Sequence, residues 1–331
     1  MQSALLSSTS FVVRLFVIGG LALTACGGDT DTSATPDGGN PNGSGSSDSG
    51  GDGNVSPDAA VPRNVDFEWS AWPVPPDNPT PANYVTSGSV VTDSVTGLHW
   101  QQVASASQMT WTVADYTCHE LSLSGTGWRL PTLIELESIV DYGAYNPSIE
   151  TSAFPGTPTQ RFWTGSGSGG AHWSVYFLWG YTGEMQDTDT AHVRCVRSPN
   201  IGITGSSGAP QGRFVINVDT VNDSETGLRW QRSVPASKTS WAAAGSYCQG
   251  LQLGGTGGWR LPTIKELQSL VNVRALNPAI DVTAFPSTAS DFFFAATPYA
   301  YETTKPWVVS FSSGLSYPNS AAGTAYVRCV R

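Results

Sequence analysis

The chain has 331 residues, 39% of them hydrophobic and only 13% charged, with 36 glycines, 22 prolines and 12 tryptophans; this length suggests about two domains, and the composition is that of a loop- and strand-rich exported protein. Its formal net charge is −10. Repulsion therefore argues against nucleic acid and sulfated polysaccharide as partners, and no basic stripe offsets it.

The N-terminal stretch FVVRLFVIGGLALTACGG carries one cation, Arg14, and then an apolar run from Leu15 to Ala25. That run is too short for a membrane-spanning helix and fits the core of a signal peptide, residues 1–25. It closes on Leu23-Thr24-Ala25-Cys26, which resembles the lipobox of bacterial lipoproteins. The resemblance implies cleavage before Cys26 and lipidation of its thiol; the other reading is a plain signal peptide with an incidental cysteine. Lipidation makes the membrane a partner through the N-terminal lipid. By resemblance to enterobacterial sorting, Gly27 and not Asp after the cysteine implies no retention at the inner membrane, and the chain is expected in the cell envelope, at the outer membrane or surface of a Gram-negative bacterium. Residues 26–66 are almost wholly Gly, Ser, Asp, Asn, Pro, Thr and Ala. Such a segment cannot bury enough apolar surface to fold and is expected to be a disordered tether.

Beyond residue 66 the chain repeats itself. VTDSVTGLHWQQ (91–102) matches VNDSETGLRWQR (221–232), GTGWRLPTLIELESIV (125–140) matches GTGGWRLPTIKELQSLV, YNPSIETSAFP matches LNPAIDVTAFP, and AHVRCVR matches AYVRCVR. A period near 130 residues means duplication of a whole domain: module 1 at 67–198, a linker at 199–210 and module 2 at 211–331. Each module is expected to open with an Asp-x-x-Thr-Gly turn (Asp93–Gly97, Asp223–Gly227), in which Asp bonds the backbone ahead and Gly supplies positive φ. An alternating strand follows, then a helix capped by Thr110 or Ser240 with Ala114, Cys118 and Leu121, or Ala244, Cys248 and Leu251, on one face.

The repeated Trp-Arg-Leu-Pro-Thr-x-x-Glu-Leu comes next. Pro131 and Pro262 stop a strand. Thr132 with Glu135, and Thr263 with Glu266, make the Thr-x-x-Glu capping box that starts a second helix. Arg129 and Arg260 are left over: each either contacts an anionic ligand or bonds carbonyls or a nearby acid. Late strands alternate Trp173/Val175/Phe177 and Trp307/Val309/Phe311 towards a core, and terminal strands follow at 193–197 and 327–331. Cys118, Cys195, Cys248 and Cys329 favour two disulfides in an exported chain. Of three possible pairings, the repeat favours Cys118–Cys195 and Cys248–Cys329, one per module, with cross-module pairing as the alternative.

Together these motifs resemble the Lcl C-terminal domain family twice over, across essentially the whole folded body. The resemblance implies an α+β fold, two tandem C-type-lectin-like modules, each with two helices and a twisted antiparallel sheet. It also implies surface attachment and glycan binding. In the collagen-like adhesin that names the family the glycan is sulfated, but this chain is acidic and lacks a Gly-X-Y region. RLPT followed by Glu, and a closing RCVR, also resemble formylglycine-generating enzymes. Those use an additional reactive cysteine pair, whereas here the expected disulfides claim all four domain cysteines.

No catalytic residue is expected, nor any cofactor. His99, His119, His172 and His192 lack metal-ligand spacing, have Arg229, Gln249, Pro306 and Tyr326 at their places in module 2, and read as surface residues. The densest acid cluster, Glu184, Asp187 and Asp189, is either a private cation site of module 1 or a solvated loop; module 2 has no acid there. Exposed aromatics can stack on sugars or fill partner pockets. Tyr176, Trp179, Tyr181, Tyr299 and Tyr301, in the stretches where the modules differ, are the candidate ligand contacts, against simple packing between sheet and loops. The expected function is a lipid-anchored envelope protein displaying two binding modules for a glycan or protein partner. A structural envelope component without soluble ligand is the alternative, and an enzyme of the formylglycine-generating kind is the least favoured reading.

Overall fold

The computed structural model describes residues 64–65, 67–199, 201–202 and 208–331. Cys26, the signal stretch and the tether up to residue 63 lie outside the described residues. Asn64–Val65, which the composition assigns to the disordered tether, instead pair in parallel with Ile201–Gly202 of the linker. Among the described residues no helix is long and apolar enough to cross a membrane.

Module 1 runs β1 (Tyr84–Ser87), β2 (Val90–Asp93), β3 (His99–Gln101), α1 (Trp111–His119), α2 (Leu133–Ser138), β4 (Arg161–Ser168), β5 (Ala171–Tyr176), β6 (Tyr181–Gln186) and β7 (Val196–Arg197). Strands β1-β2-β3-β7 form one antiparallel sheet and β4-β5-β6 a second. Module 2 repeats the plan with β8 (Phe214–Ile216), β9 (Thr220–Asp223), β10 (Arg229–Gln231), α3 (Trp241–Gly250), α4 (Ile264–Gln268), β11 (Phe292–Tyr299), β12 (Glu302–Ser310) and β13 (Ser316–Pro318). Its sheets are β8-β9-β10 and β11-β12-β13.

The turns form as their residues require: Gly97 and Gly227 sit at φ 71° and 73°, while Asp93 and Asp223 accept from the amides of Val95 and Glu225 at 2.8 and 3.1 Å. The capping boxes are present at Thr132/Glu135 and Thr263/Glu266. Thr110 occupies the N-cap of α1 without a side-chain bond, contrary to expectation; the Trp111 amide donates to the carbonyl of Asp187 at 3.2 Å. Ser240 does cap α3, accepting from Ala243. The terminal strands are shorter than expected. In module 2 the last residues join β10 and Arg260 only as isolated bridges at Val330.

Both disulfides pair within modules: Cys118–Cys195 and Cys248–Cys329, at sequence separations of 77 and 81. Around each lies a lateral core. One holds Trp128, Leu130 and Trp163; the other holds Trp259, Phe294 and Val308. Trp173, Val175 and Phe177, with Trp307, Val309 and Phe311, enter a third, central core together with α2 and α4 residues of both modules. The late strands are therefore covered on both faces, and Ser174, Val308 and Ser310 are buried alongside the expected positions. Tandem repeats divided by a linker thus share one apolar interior.

Candidate binding site at the module junction

The repeated motif works at short range. Arg129 donates from Nη1 and Nη2 to Glu135 Oε2 and Oε1 at 2.7 and 2.6 Å, and the same Oε2 accepts the Thr132 amide at 2.8 Å. Arg260 and Glu266 copy this at 2.6 and 2.6 Å, with the Thr263 amide at 2.8 Å. The arginine, which sits at an isolated bridge and not in the expected strand, thus grips the glutamate that opens the helix, a bidentate charge-assisted pair. Of the two readings left open for Arg129 and Arg260, the nearby acid holds.

The first residues of module 1, 67–78, form a strap across both modules. Ser166, on β4, accepts the Leu133 amide of α2 at 2.8 Å and donates to Glu68 of the strap at 2.5 Å. Its equivalent Thr297 accepts the Ile264 amide of α4 at 2.9 Å and donates to Asp77, also of the strap. Each second helix therefore begins in the same relay: helix amide, hydroxyl, strap carboxylate. Lys265, buried on α4, bonds the carbonyls of Pro76 and Ser138, both at 2.8 Å.

Equivalent residues meet across the junction. Glu137 of α2 accepts from Gln268 of α4 at 2.6 Å, and Thr182 of β6 accepts the Ser316 amide of β13 at 2.8 Å. Gln268 also donates to Tyr142 and Ser316. Such self-matching contacts mark an approximate internal dyad, the geometry of an isologous dimer written in one chain. Desolvation pushes the Glu137 carboxyl up to about 8 and the Lys265 ammonium down to about 8.

The dyad generates two clefts, one on each side of the strap. In the first, of about 330 Å³, Asp77, Asn78 and Gly143 face Thr263, Pro298 and Thr303. The second side holds two adjoining pockets that share Glu68 and Arg274, the counterpart of Gly143: Thr132, the counterpart of Thr263, lines one, and Trp173 and Glu184 line the other, the second cleft. Tyr301 directly follows Ala300 of the first cleft and Tyr145 lies two residues beyond Gly143; neither ring is among the side chains that line it. These rings meet edge to face at 5.4 Å and are 49% and 62% exposed. The hairpin carrying Tyr299 and Tyr301 is longer than its glycine-rich equivalent in module 1, GSGSGG at 165–170, so this tyrosine pair has no counterpart on the other side of the dyad, where Phe67, Trp111 and Trp173 line the pockets.

The structure redistributes the candidate aromatics. Tyr299 is 5% exposed and cannot be an open ligand contact: its hydroxyl lies 2.9 Å from that of Tyr181, and its ring packs on Trp307. Tyr176, Trp179 and Tyr181 are half-buried in a continuous run of ring contacts that reaches Tyr299 and Trp307. Tyr181 and Tyr299 therefore join the modules, Tyr176 and Trp179 make their ring contacts within module 1, and Tyr301, which meets Tyr145 across the junction, is alone of the five in being well exposed. Tyr145 escaped the sequence reading. The signal was present, since Tyr145 stands where module 2 has Leu276.

His172 and His192 are buried, not surface residues. His172 stacks on Trp111 at 3.8 Å and pairs with Asp187 at 2.6 Å; His192 donates from Nδ1 to the Ser105 carbonyl at 2.9 Å. Alternation alone could not show that α1 covers the outer face of β5. Asp187 is thereby engaged, Asp189 accepts the Gln186 amide at 3.0 Å, and Glu184 lines the second cleft. The three do not converge: among the described residues no group of three or more His, Cys, Asp or Glu side chains is placed to hold a metal.

The fold and the junction define a class first: a disulfide-stapled tandem of mixed helix-and-sheet domains fused through a shared core. Two matches to the Lcl C-terminal domain, at residues 89–197 and 219–331, then place it, and the chain belongs to that family. The strap, residues 67–78, precedes the matched region. No curated protein matches the chain.

Proposed function

We propose that this is a lipid-anchored cell-envelope recognition protein whose two modules, of C-type-lectin-like kind, present one binding face to a glycan or protein partner. The observation that carries the reading is the exposed Tyr145–Tyr301 pair, one ring from each module, meeting edge to face across the module junction. Aromatic rings held rigidly at low side-chain entropy are the residues that dominate recognition surfaces. A non-catalytic role is supported by the four domain cysteines, which are all in disulfides and so leave no thiol for chemistry of the formylglycine-generating kind. The test is attachment of intact cells to host or matrix surfaces. A Tyr145→Ala/Tyr301→Ala double variant, displayed at the normal level, is expected to lose most of the attachment that a deletion strain loses. Normal attachment by that variant would sink the reading. The anchor is tested separately: Cys26→Ser is expected to move the protein from the detergent phase to the aqueous phase in Triton X-114 partitioning.

A further inference from the structure

We propose that Tyr145 and Tyr301 are an oxidative cross-linking site, at which one-electron oxidation of both phenols joins the two modules through a dityrosine bond. The inference goes beyond the recognition reading, since it needs no ligand. The rings lie 5.4 Å apart, and both are open to solvent. Their backbones are held. Asn146, next to Tyr145, donates its amide to the Leu178 carbonyl at 2.8 Å, and Tyr301 sits in the turn closed by Tyr299 and Glu302. Their hydroxyls are not held: neither has a hydrogen-bond partner among the described residues. The fold thus delivers two reactive rings to each other and leaves them free to turn. Their coupling becomes unimolecular, with the advantage that proximity gives over coupling between molecules.

Other tyrosines lack one of these conditions. Tyr116 is 66% exposed but meets no other ring among the described residues. Tyr181 and Tyr299 touch, but Tyr299 is buried and its ring is wedged on Trp307. The run Tyr301–Tyr299–Tyr181–Trp307, with ring centroids 6.0, 5.9 and 5.6 Å apart, gives an electron vacancy formed on an interior ring a path to the exposed pair. The oxidant is of the peroxidase class, with hydrogen peroxide as electron acceptor. Each phenol gives up one electron and its hydroxyl proton, leaving a phenoxyl radical with spin on the carbon ortho to oxygen. The two ortho carbons pair these electrons in a new C–C bond. Each ortho hydrogen then leaves as a proton while a proton returns to each oxygen, restoring two phenols. In sum, two electrons and two protons pass to one peroxide, which becomes two waters. The two disulfides mark a chain suited to an oxidising compartment. Both close within a module, so the dityrosine is a covalent tie across the junction that they do not supply.

The full chain in detergent is treated with a haem peroxidase and limiting hydrogen peroxide at several protein concentrations. Dityrosine fluorescence is read in the monomer band of a denaturing gel, and the linked peptides are identified by mass spectrometry. The expected product is a monomer lighter by two hydrogen atoms, with Tyr145 joined to Tyr301, formed in a yield independent of protein concentration. Tyr145→Phe and Tyr301→Phe keep the ring and remove the phenol. Each is expected to abolish the monomer cross-link with an unchanged circular dichroism spectrum, while Tyr116→Phe leaves it intact. Absence of a monomer cross-link, dityrosine confined to cross-linked dimers, a cross-link between other tyrosines, or its survival in either pair variant overturns the assignment.

Discussion

At the residue scale, three buried ionic sites decide local stability. Arg194, buried in module 1, donates to the carbonyls of Gln101 and Gln102 and to the Thr157 hydroxyl beneath the Phe154 ring. Arg328 repeats this with Gln231, Arg232, Thr288 and Phe285. Burial lowers both guanidinium groups to about 9. Arg328→Met keeps the volume but strands three acceptors, and denaturant titration is expected to show a loss of about 3 kcal/mol. Glu137 gives a pH signature. Its folded pKa of about 8 lies above the usual 4.5, so between those values the folded state holds a proton that the unfolded chain has lost. Stability contributed below pH 4.5 is therefore lost as pH rises through 8. The Lys265 shift acts between its folded value of about 8 and its usual 10.5, above that window. Glu137→Gln is expected to flatten the decline between pH 5 and 8; an unchanged slope in denaturation midpoints would refute the assignment.

At the scale of elements, the strap and the disulfides hold different boundaries. Asp77 and Glu68 fasten the strap to α4 and α2 through Thr297 and Ser166. Asp77→Ala is expected to cost about 2 kcal/mol, and much less once Thr297 is already Val, because the pair acts as a unit. The readout is a double-mutant cycle, and additivity would deny the coupling. The disulfides close long loops inside each module. Removing Cys118–Cys195 by paired alanine substitution is expected to cost about 4 kcal/mol on chain-entropy grounds and to loosen α1, seen as faster amide exchange there than in α3. The start of each second helix was legible in the sequence, since Pro, Thr and Glu at fixed spacing specify a strand stop and a capping box locally. The Arg–Glu clamp was not, because it needs the strand and the helix to turn back on each other.

At the scale of the molecule, the modules are one cooperative body. Trp173 packs near Gly314, and Trp307 packs on Tyr142 and Tyr181 of the other module. Thermal unfolding is expected as one transition, coincident by circular dichroism and tryptophan fluorescence; two separated transitions would disprove the shared core. The sequence by itself determined the duplication, the α+β class, the turns, the helix starts and, through the repeat, the disulfide pairing. All of these are set by local backbone preference or by comparing one copy with the other. Only the tertiary structure decided that the copies meet about a dyad, that the strap crosses it, that Tyr181 and Tyr299 are mortar between modules, and that Tyr145 and Tyr301 meet as an exposed pair across the junction. A periodic pattern shows that a face is buried but not against what. Residues over 100 positions apart become neighbours only when both copies bury their apolar faces on each other.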